Sequence, residues 1–480
     1  MTQIQNYKMT LWTKHELLSA LEGELLEHQL SDNLAIDEVV IDSRKTPKSG
    51  LFLALKGEKN DAHDFLEQAV TNGCTALLVQ DKSALEKVKS TDFLLVKDTF
   101  KALYKLAEFS RHRSPAKIIG ITGSVGKTST KEMLKLTFEA YGKTFATYGN
   151  LNNHIGLPLS LCNFAADCQF GIFEMGMNHL NEIDPLTRLA RPHLAIITNV
   201  GPAHIEFFKD EEEIALAKSE IFFGLEKGGV ALINRDNRHF EFLRKRAEIL
   251  GVEILSFGKN SESDFCLEKS LIKDVNNSEV LLRIREAKSI SYQISTSNKA
   301  AIYNSVIVAA CLNLCTNNPQ TGLAQLTKLE NPAGRGKAFD VTFNQKTITV
   351  IDDSYNASLL SIAAGLEYAA ELKSALGKKR IVAALGDMLE LGEKSVELHE
   401  EIADYLTTFH IDFAILVGEK MTGMAKKLPK TSYKTFLDSS SASLVIEDLL
   451  QDGDILYVKG SRGLKMEKII EKLTNKTSAH

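Results

Sequence analysis

Short, continuous apolar runs alternate with helix-patterned segments along this chain, and that alternation constrains its fold more than any other feature. Lys117-Ile-Ile-Gly-Ile121, Phe170-Gly-Ile-Phe173, Leu194-Ala-Ile-Ile197 and Val230-Ala-Leu-Ile233 are such runs. A strand that is apolar on both faces needs cover on both faces, and helices between successive strands supply it. The pattern therefore predicts a parallel sheet sandwiched by helices. It restarts at Thr347–Ile351, Arg380–Leu385, Phe413–Val417 and Ile455–Val458, four candidate parallel strands of a second doubly wound domain. Between the two regions, Asn331-Pro-Ala-Gly-Arg-Gly336 interrupts both periodicities and reads as a linker. Ahead of them the chain mixes short strand-like runs with helices and ends in the basic stretch Arg111-His-Arg-Ser-Pro115. The expected organisation is an α/β protein with domains at 1–114, 115–330 and 331–480, in line with a length prior of roughly three domains. A cleft between two α/β domains is the usual place for a two-substrate site.

Composition narrows the function classes. A formal net charge of −5 leaves no electrostatic footprint for nucleic acid or an anionic membrane, so positive charge toward an anionic substrate must be local. No basic-then-apolar leader opens the chain and no apolar run reaches ~18 residues, so a cytoplasmic location without a membrane partner is expected. The six cysteines are scattered without a CxxC pair, which sets zinc and redox chemistry aside. Cys311 and Cys315 lie in an apolar helical stretch and read as buried core thiols.

Gly120-Ile-Thr-Gly-Ser-Val-Gly-Lys-Thr128, between a strand-like run and a helix expected from Lys127 to about Tyr141, is the sharpest local signal. Glycines let backbone N–H groups turn toward phosphate oxygens, and a helix N-terminus adds the positive end of its dipole. In this reading Gly123, Ser124, Val125, Gly126 and Ser129 cradle the phosphates, Lys127 neutralises them, and the Thr128 hydroxyl ligates Mg²⁺. Ile121 stands where the general P-loop pattern wants glycine, so the motif is the shorter Thr-Gly-x-x-Gly-Lys-Thr. Glu174 and His204 follow two later apolar runs, at strand ends that face the same sheet edge. Alone, each reads as a rim or loop residue, and Lys218 as a surface lysine. The P-loop, Glu174 and His204, on successive strand ends, point instead to metal near a nucleotide.

These residues resemble the Mur ligase family, cytoplasmic enzymes that build the peptide of peptidoglycan by ATP-driven amide formation. The resemblance covers all three blocks. The central block carries Thr122-Gly-Ser-Val-Gly-Lys-Thr-Ser129, Gly149-Asn-Leu-Asn-Asn-His-Ile-Gly156, Glu174-Met-Gly-Met177, Thr198-Asn-Val-Gly-Pro-Ala-His204 and Ala217-Lys-Ser-Glu-Ile221. Gly334-Arg335 and Asp352-Asp-Ser-Tyr-Asn-Ala357 carry it in the third. Asp42-Ser-Arg44 and Leu51-Phe-Leu-Ala-Leu-Lys-Gly57 look like a UDP-muramyl-binding domain. Leu385-Gly-Asp-Met-Leu-Glu-Leu-Gly-Glu393 and Glu397-Leu-His-Glu400 are similar to the member that adds D-Ala-D-Ala to UDP-N-acetylmuramoyl-tripeptide. The alternatives are the preceding diaminoacid-adding ligase and a non-catalytic nucleotide-binding relative.

The resemblance implies a role for each residue. Lys127 and Thr128 hold ATP and a first Mg²⁺, with Glu174 as a further ligand; His204 and Lys218 support a second Mg²⁺, the lysine as a carbamate. A carbamate offers the anionic oxygens that Mg²⁺ prefers, where an ammonium would repel it. Asn304 contacts adenine, Arg335 reaches the γ-phosphate, and Asp353 and Tyr355 touch the nucleotide. Ser43 and Arg44 face the uridine diphosphate, and Asn150, Asn153 and Asn356 lie on the substrate side. Lys459 and Ser461, in Lys459-Gly-Ser-Arg462, serve a substrate carboxylate or cap the following helix, two readings of equal weight. An acyl-phosphate intermediate must be kept from water, so the third domain is expected to close on the central one, carrying Arg335. A monomer is the simplest expectation.

Overall fold

Each block of the sequence builds a sheet of its own kind. The computed structural model describes residues 10–57, 60–88, 91–202, 205–285, 288–330, 334–430 and 432–474. His204 and the first three residues of the expected linker, 331–333, lie outside them. The chain separates into two packed units, the first made of Met1–Gly120, Gly142–Met175 and Asp184–His193, the second of Ile121–Tyr141, Gly176–Ile183 and Leu194–His480.

In the first unit a five-stranded sheet runs in the order Leu25–Gln29, Asp92–Val96, Cys74–Val79, Gly50–Leu53, Glu38–Val40. All its pairs are parallel except the one made by Leu25–Gln29. The helix Thr99–Arg113 starts where the Asp98 carboxylate accepts from the amides of Phe100 and Lys101, at 2.8 and 3.0 Å, so that two orphan donors of the first turn are satisfied. Phe170–Glu174 lies between Lys117–Thr122 and Thr144–Ala146, parallel to the latter, as the apolar runs predict.

In the second unit Leu194–Ile197, Val230–Asn234 and Glu253–Gly258 pair in parallel. The expectation of a wholly parallel central sheet fails beyond Gly258. Phe265–Asp274, Asn277–Ile284 and Lys288–Ile294 form an antiparallel meander. Its residues alternate: Val280, Leu282 and Ile284, then Ile290, Tyr292 and Ile294, are buried, while Leu281 and most of their other neighbours are exposed or half-buried. One wet face suits antiparallel strands and hides them from a search for continuous apolar runs. Three helices are used below: α1 (Lys127–Phe138), α2 (Lys299–Cys315) and α3 (Leu359–Leu376). α1 stops short of Tyr141. In α2, Cys311 is buried as expected, whereas Cys315 is only half-buried.

The third sheet has the order Lys337–Phe343, Lys346–Asp353, Ile455–Lys459, Ile381–Gly386, Phe413–Val417, Tyr433–Phe436. The four expected parallel strands are present, with a fifth, Tyr433–Phe436, added at one edge. At the other edge Lys337–Phe343 pairs antiparallel through a two-residue turn in which Asn344 and Gln345 have φ of 44° and 62°, the twist a tight hairpin needs. Both additions are amphipathic or half-exposed edge strands. Val350, Val382, Ile415 and Leu456 of this sheet pack with Ile446 and Ile469 from helices into one core.

Candidate active site

Gly123-Ser-Val-Gly126 joins the strand Lys117–Thr122 to α1. Gly123 and Gly126 have φ of +151° and +86°; a Cβ on Gly123 would overlap Thr198 Oγ1, and one on Gly126 would lie 3.0 Å from Asn304 Oδ1. The motif's glycines are thus required by close approach as well as by conformation. The segment from Thr198 to Gly201 braces the loop. Thr198 N donates to Thr122 O at 3.0 Å, and Ser124 N donates to Asn199 O at 2.8 Å. Thr198 Oγ1 donates to Val125 O at 2.5 Å. Ser124 Oγ donates to Gly201 O and accepts from Gly201 N, both at 3.0 Å. Lys127 Nζ donates to Gly123 O. With the Gly123 and Val125 carbonyls engaged inside the protein, a phosphate at this helix start would meet fewer opposing dipoles.

The brace is itself held from the end of Val230–Asn234. Asn234 Nδ2 donates to Thr198 O at 3.2 Å, and Asn237 Nδ2 donates to Val200 O at 2.8 Å and to Asn199 Oδ1. Tyr303, next to Asn304 on α2, bonds Asn234 Oδ1 and Asp236 Oδ2, each at 2.7 Å. Asn237→Asp replaces a donor by an acceptor facing two acceptors. ATP affinity is expected to fall about tenfold. It should recover in part as pH drops and the introduced carboxyl, its pKa raised by those acceptors, becomes a donor. Nucleotide titration across pH checks this; a pH-independent loss would show that the carboxamide's donation is not what matters.

Lys218 is no surface lysine: it is 3% exposed, near the end of the helix Glu211–Ser219. Burial, and then the charge of Lys127, pushes its ammonium well below the ordinary lysine value. No carboxylate among the described residues forms an ion pair with it, so nothing offsets the preference of burial for the amine over the ammonium.

The third sheet contributes a second group of residues. Asp352 organises the Gly334-Arg-Gly336 turn: its Oδ2 accepts from Gly334 N at 2.9 Å and its carbonyl from Gly336 N at 2.7 Å. The Arg335 guanidinium lies 4.1 Å from the Tyr355 ring centre, and Arg462 lies 5.4 Å from the same ring. Lys459 is buried; its Nζ donates to Asp353 Oδ2 at 2.6 Å and to Asn356 O at 2.9 Å. Burial raises the Asp353 carboxyl pKa, while Lys459 pulls it down. Ser461 Oγ accepts from Leu389 N at 2.9 Å. In this structure, then, Lys459 neither caps a helix nor stands open to a ligand; it orders Asp353 and the loop after it.

Known proteins match this arrangement along its length. The Mur ligase middle domain matches residues 121–312, the Mur ligase glutamate ligase domain 339–462, and the Mur ligase family catalytic domain 35–109. The UDP-N-acetylmuramoyl-tripeptide–D-alanyl-D-alanine ligase of Rickettsia prowazekii is 35% identical over 465 residues, 96% of this chain and 99% of that protein. The chain belongs to the Mur ligase family. Among solved Mur ligase structures, MurF from Acinetobacter baumannii superposes with a TM-score of 0.82 at 29% identity, covering 97% of this chain and 99% of that one. MurF ligase from Thermotoga maritima, solved in complex with ADP, gives 0.77 at 26% identity, covering 92% and 98%.

Five more residues singled out for their Mur ligase resemblance fall in the first unit. Glu174 is 2% exposed, and its Oε1 accepts from Asn152 Nδ2 at 2.9 Å. Asn153 Oδ1 accepts from Ile155 N at 3.2 Å and Gly156 N at 2.8 Å, just ahead of the helix Gly156–Cys162. Asn150 is exposed, and its carbonyl accepts from Asn152 N at 2.8 Å. Ser43 is buried and donates to Gln68 Oε1 at 2.6 Å. Arg44 is exposed and pairs with Asp42 at 2.8 Å; its guanidinium holds that carboxyl down to about 2. Sequence reading passed over Asn152, Thr198, Asn237, Asp352 and Arg462. All but Asn237 stand inside motifs it quoted, yet neither spacing nor residue type tells a bracing residue from its neighbours. Among the described residues no cluster of three or more His, Cys, Asp or Glu side chains suits a metal. No helix among them is long and apolar enough to cross a membrane.

Proposed function

We propose that this chain joins D-alanyl-D-alanine to UDP-N-acetylmuramoyl-tripeptide at the expense of ATP, through an acyl phosphate. The observation that carries the reading is its likeness, along nearly the whole chain, to ligases of that name. The braced phosphate loop supports the nucleotide half independently. Domain boundaries near 114 and 330, a monomeric state and a cytoplasmic location complete the reading.

Joining a carboxylate to an amine in water is uphill, because both are ionised and the carboxylate is a poor electrophile. Transfer of the γ-phosphoryl group gives a carbonyl whose leaving group is phosphate. Gly123 to Ser129 cradle the phosphates, Lys127 neutralises charge as it develops, and Arg335 approaches from the third domain. Asn304 lies beside Gly126 on the adenine side, with Asp353 and Tyr355 toward the nucleotide. Ser43 and Arg44 take the uridine diphosphate. Asn150, Asn153 and Asn356 lie on the substrate side, where Lys459 and Ser461 order the loop that meets a substrate carboxylate. Thr128, Glu174, His204 and Lys218 would hold Mg²⁺, the hydroxyl and the carboxylate supplying the oxygen donors it prefers and the imidazole a nitrogen. Two such ions would supply charge neutralisation of the transferring phosphoryl group. Lys218 fits only after modification. A neutral buried amine attacks CO₂, forming an N–C bond and releasing a proton, and the product is a carbamate with anionic oxygens.

The test is phosphate release from ATP with UDP-N-acetylmuramoyl-tripeptide, with and without D-Ala-D-Ala. Release that needs both, with a pentapeptide product by mass, is the expected result. Turnover instead with the dipeptide precursor and a free diamino acid would move the protein one step back along the same assembly.

A further inference from the structure

Helix α3 of the third sheet's domain meets the central segment near both of its ends. Toward its C-terminal half, Tyr368 OH and Ser297 Oγ bond at 2.7 Å, and Ser297 Oγ donates onward to Val275 O at 2.6 Å. Ser297's single hydroxyl proton is therefore committed, and Tyr368 is the donor to it. Both residues are buried, at 2% and 0% exposure, so the bond works in a low dielectric. One turn further on, Glu371 pairs with Lys299.

In the first turn of α3, fixed by the Ser358 capping box, Leu360 fills the space over Gly201, where any Cβ would collide with its Cδ1. At 1.5 Å per residue this contact lies about 12 Å along the helix from Tyr368. Gly201 is the residue whose N–H and C=O both bond Ser124 Oγ, at 3.0 Å each. The two hydrogen bonds fix the orientation of the Gly201 backbone, and Leu360 packs against that same residue. Farther along the same segment, a Cβ on Gly392 would lie 2.9 Å from Glu206 Cβ, a second close approach from the third domain.

We infer that Leu360 is a positioning residue: by seating on Gly201 it holds Ser124 and the phosphate loop, so that affinity for a nucleoside triphosphate depends on the docking of α3. The inference rests on the reading of that loop as the ATP site. Tyr368 sets where the helix lies, and Leu360 transmits that placement to a backbone one residue thick.

The test uses the full chain with Leu360→Ala, the volume-conserving Leu360→Met, and Tyr368→Phe. Affinity for a non-hydrolysable ATP analogue is measured by calorimetry, and kcat and KM for each of the three substrates by phosphate release. Leu360→Ala is expected to weaken the analogue and raise KM for ATP by about tenfold, with KM for the two acceptor-side substrates unchanged. Leu360→Met should return to within about twofold, and Tyr368→Phe should shift ATP affinity in the same direction by less. Unchanged analogue affinity in Leu360→Ala would overturn the inference, and so would an equal rise in all three KM values, the mark of general loosening. Absence of analogue binding by the unsubstituted chain would instead overturn the functional reading, and this inference with it.

Discussion

Lys218→Ala is expected to lower ligation by at least about a hundredfold, and short-chain carboxylates such as acetate or propionate should restore a measurable part of it. A lysine buried to 3% exposure beside the charge of Lys127 is a costly arrangement if it is only structural. Burial favours the uncharged amine, and the uncharged amine is the form that adds CO₂. The carbamate would then place anionic oxygens where an ammonium would repel a cation. Removing the side chain removes those oxygens but leaves the space, which a small carboxylate can enter. Intact-mass measurement of the native chain in bicarbonate, with a gain of one CO₂ that Lys218→Ala lacks, gives a second readout. Full activity in the alanine variant would reduce Lys218 to a packing residue.

Gly123→Ala should weaken ATP binding by at least about a hundredfold while leaving the circular dichroism spectrum unchanged. The added methyl group would overlap Thr198 Oγ1, and Thr198 has little room to yield. It follows the buried strand Leu194–Ile197, is 3% exposed, and donates to Thr122 O at 3.0 Å and Val125 O at 2.5 Å. The phosphate loop must move instead, and the φ of +151° adds strain of about 1–3 kcal/mol for a residue with a Cβ. A double variant separates the two contributions. Thr198→Ala removes the colliding oxygen, so in the Gly123→Ala background it should cost less binding than it costs alone. Simple additivity of the two losses would place the damage elsewhere than in this contact.

The parallel strands and the phosphate loop were readable because each is local. A doubly buried strand writes itself as an apolar run, and a glycine-rich turn before a lysine writes itself at a fixed spacing. The meander at 265–294 and the edge strands Lys337–Phe343 and Tyr433–Phe436 were not, since half-wet strands alternate polar and apolar residues and resemble loops. The bracing of the site is less legible still. Asn237 reaches Val200 across 37 residues, and Ser124 reaches Gly201 across 77, so neither pairing leaves a trace in local pattern. The burial of Lys218 likewise depends on what packs around its helix. The helix's own composition, with Glu211, Glu212 and Glu213 in its first turn, points to solvent. Lys459, at the end of a strand, read equally as a group for a substrate carboxylate and as a helix cap; its bond to Asp353, 106 residues away, appears only in three dimensions.

The turn Gly334-Arg-Gly336, read from sequence as part of a linker, is fastened to the third sheet. Asp352 takes both of its glycine amides, and Tyr355 N donates to Gly334 O at 3.1 Å beneath the Arg335 guanidinium. Arg335 therefore travels as cargo of the sheet, with no slack of its own. A rigid displacement of that sheet would carry the turn and the base of the Arg335 side chain with it, so a change of chain length ahead of Gly334 would leave their place on the sheet unaltered.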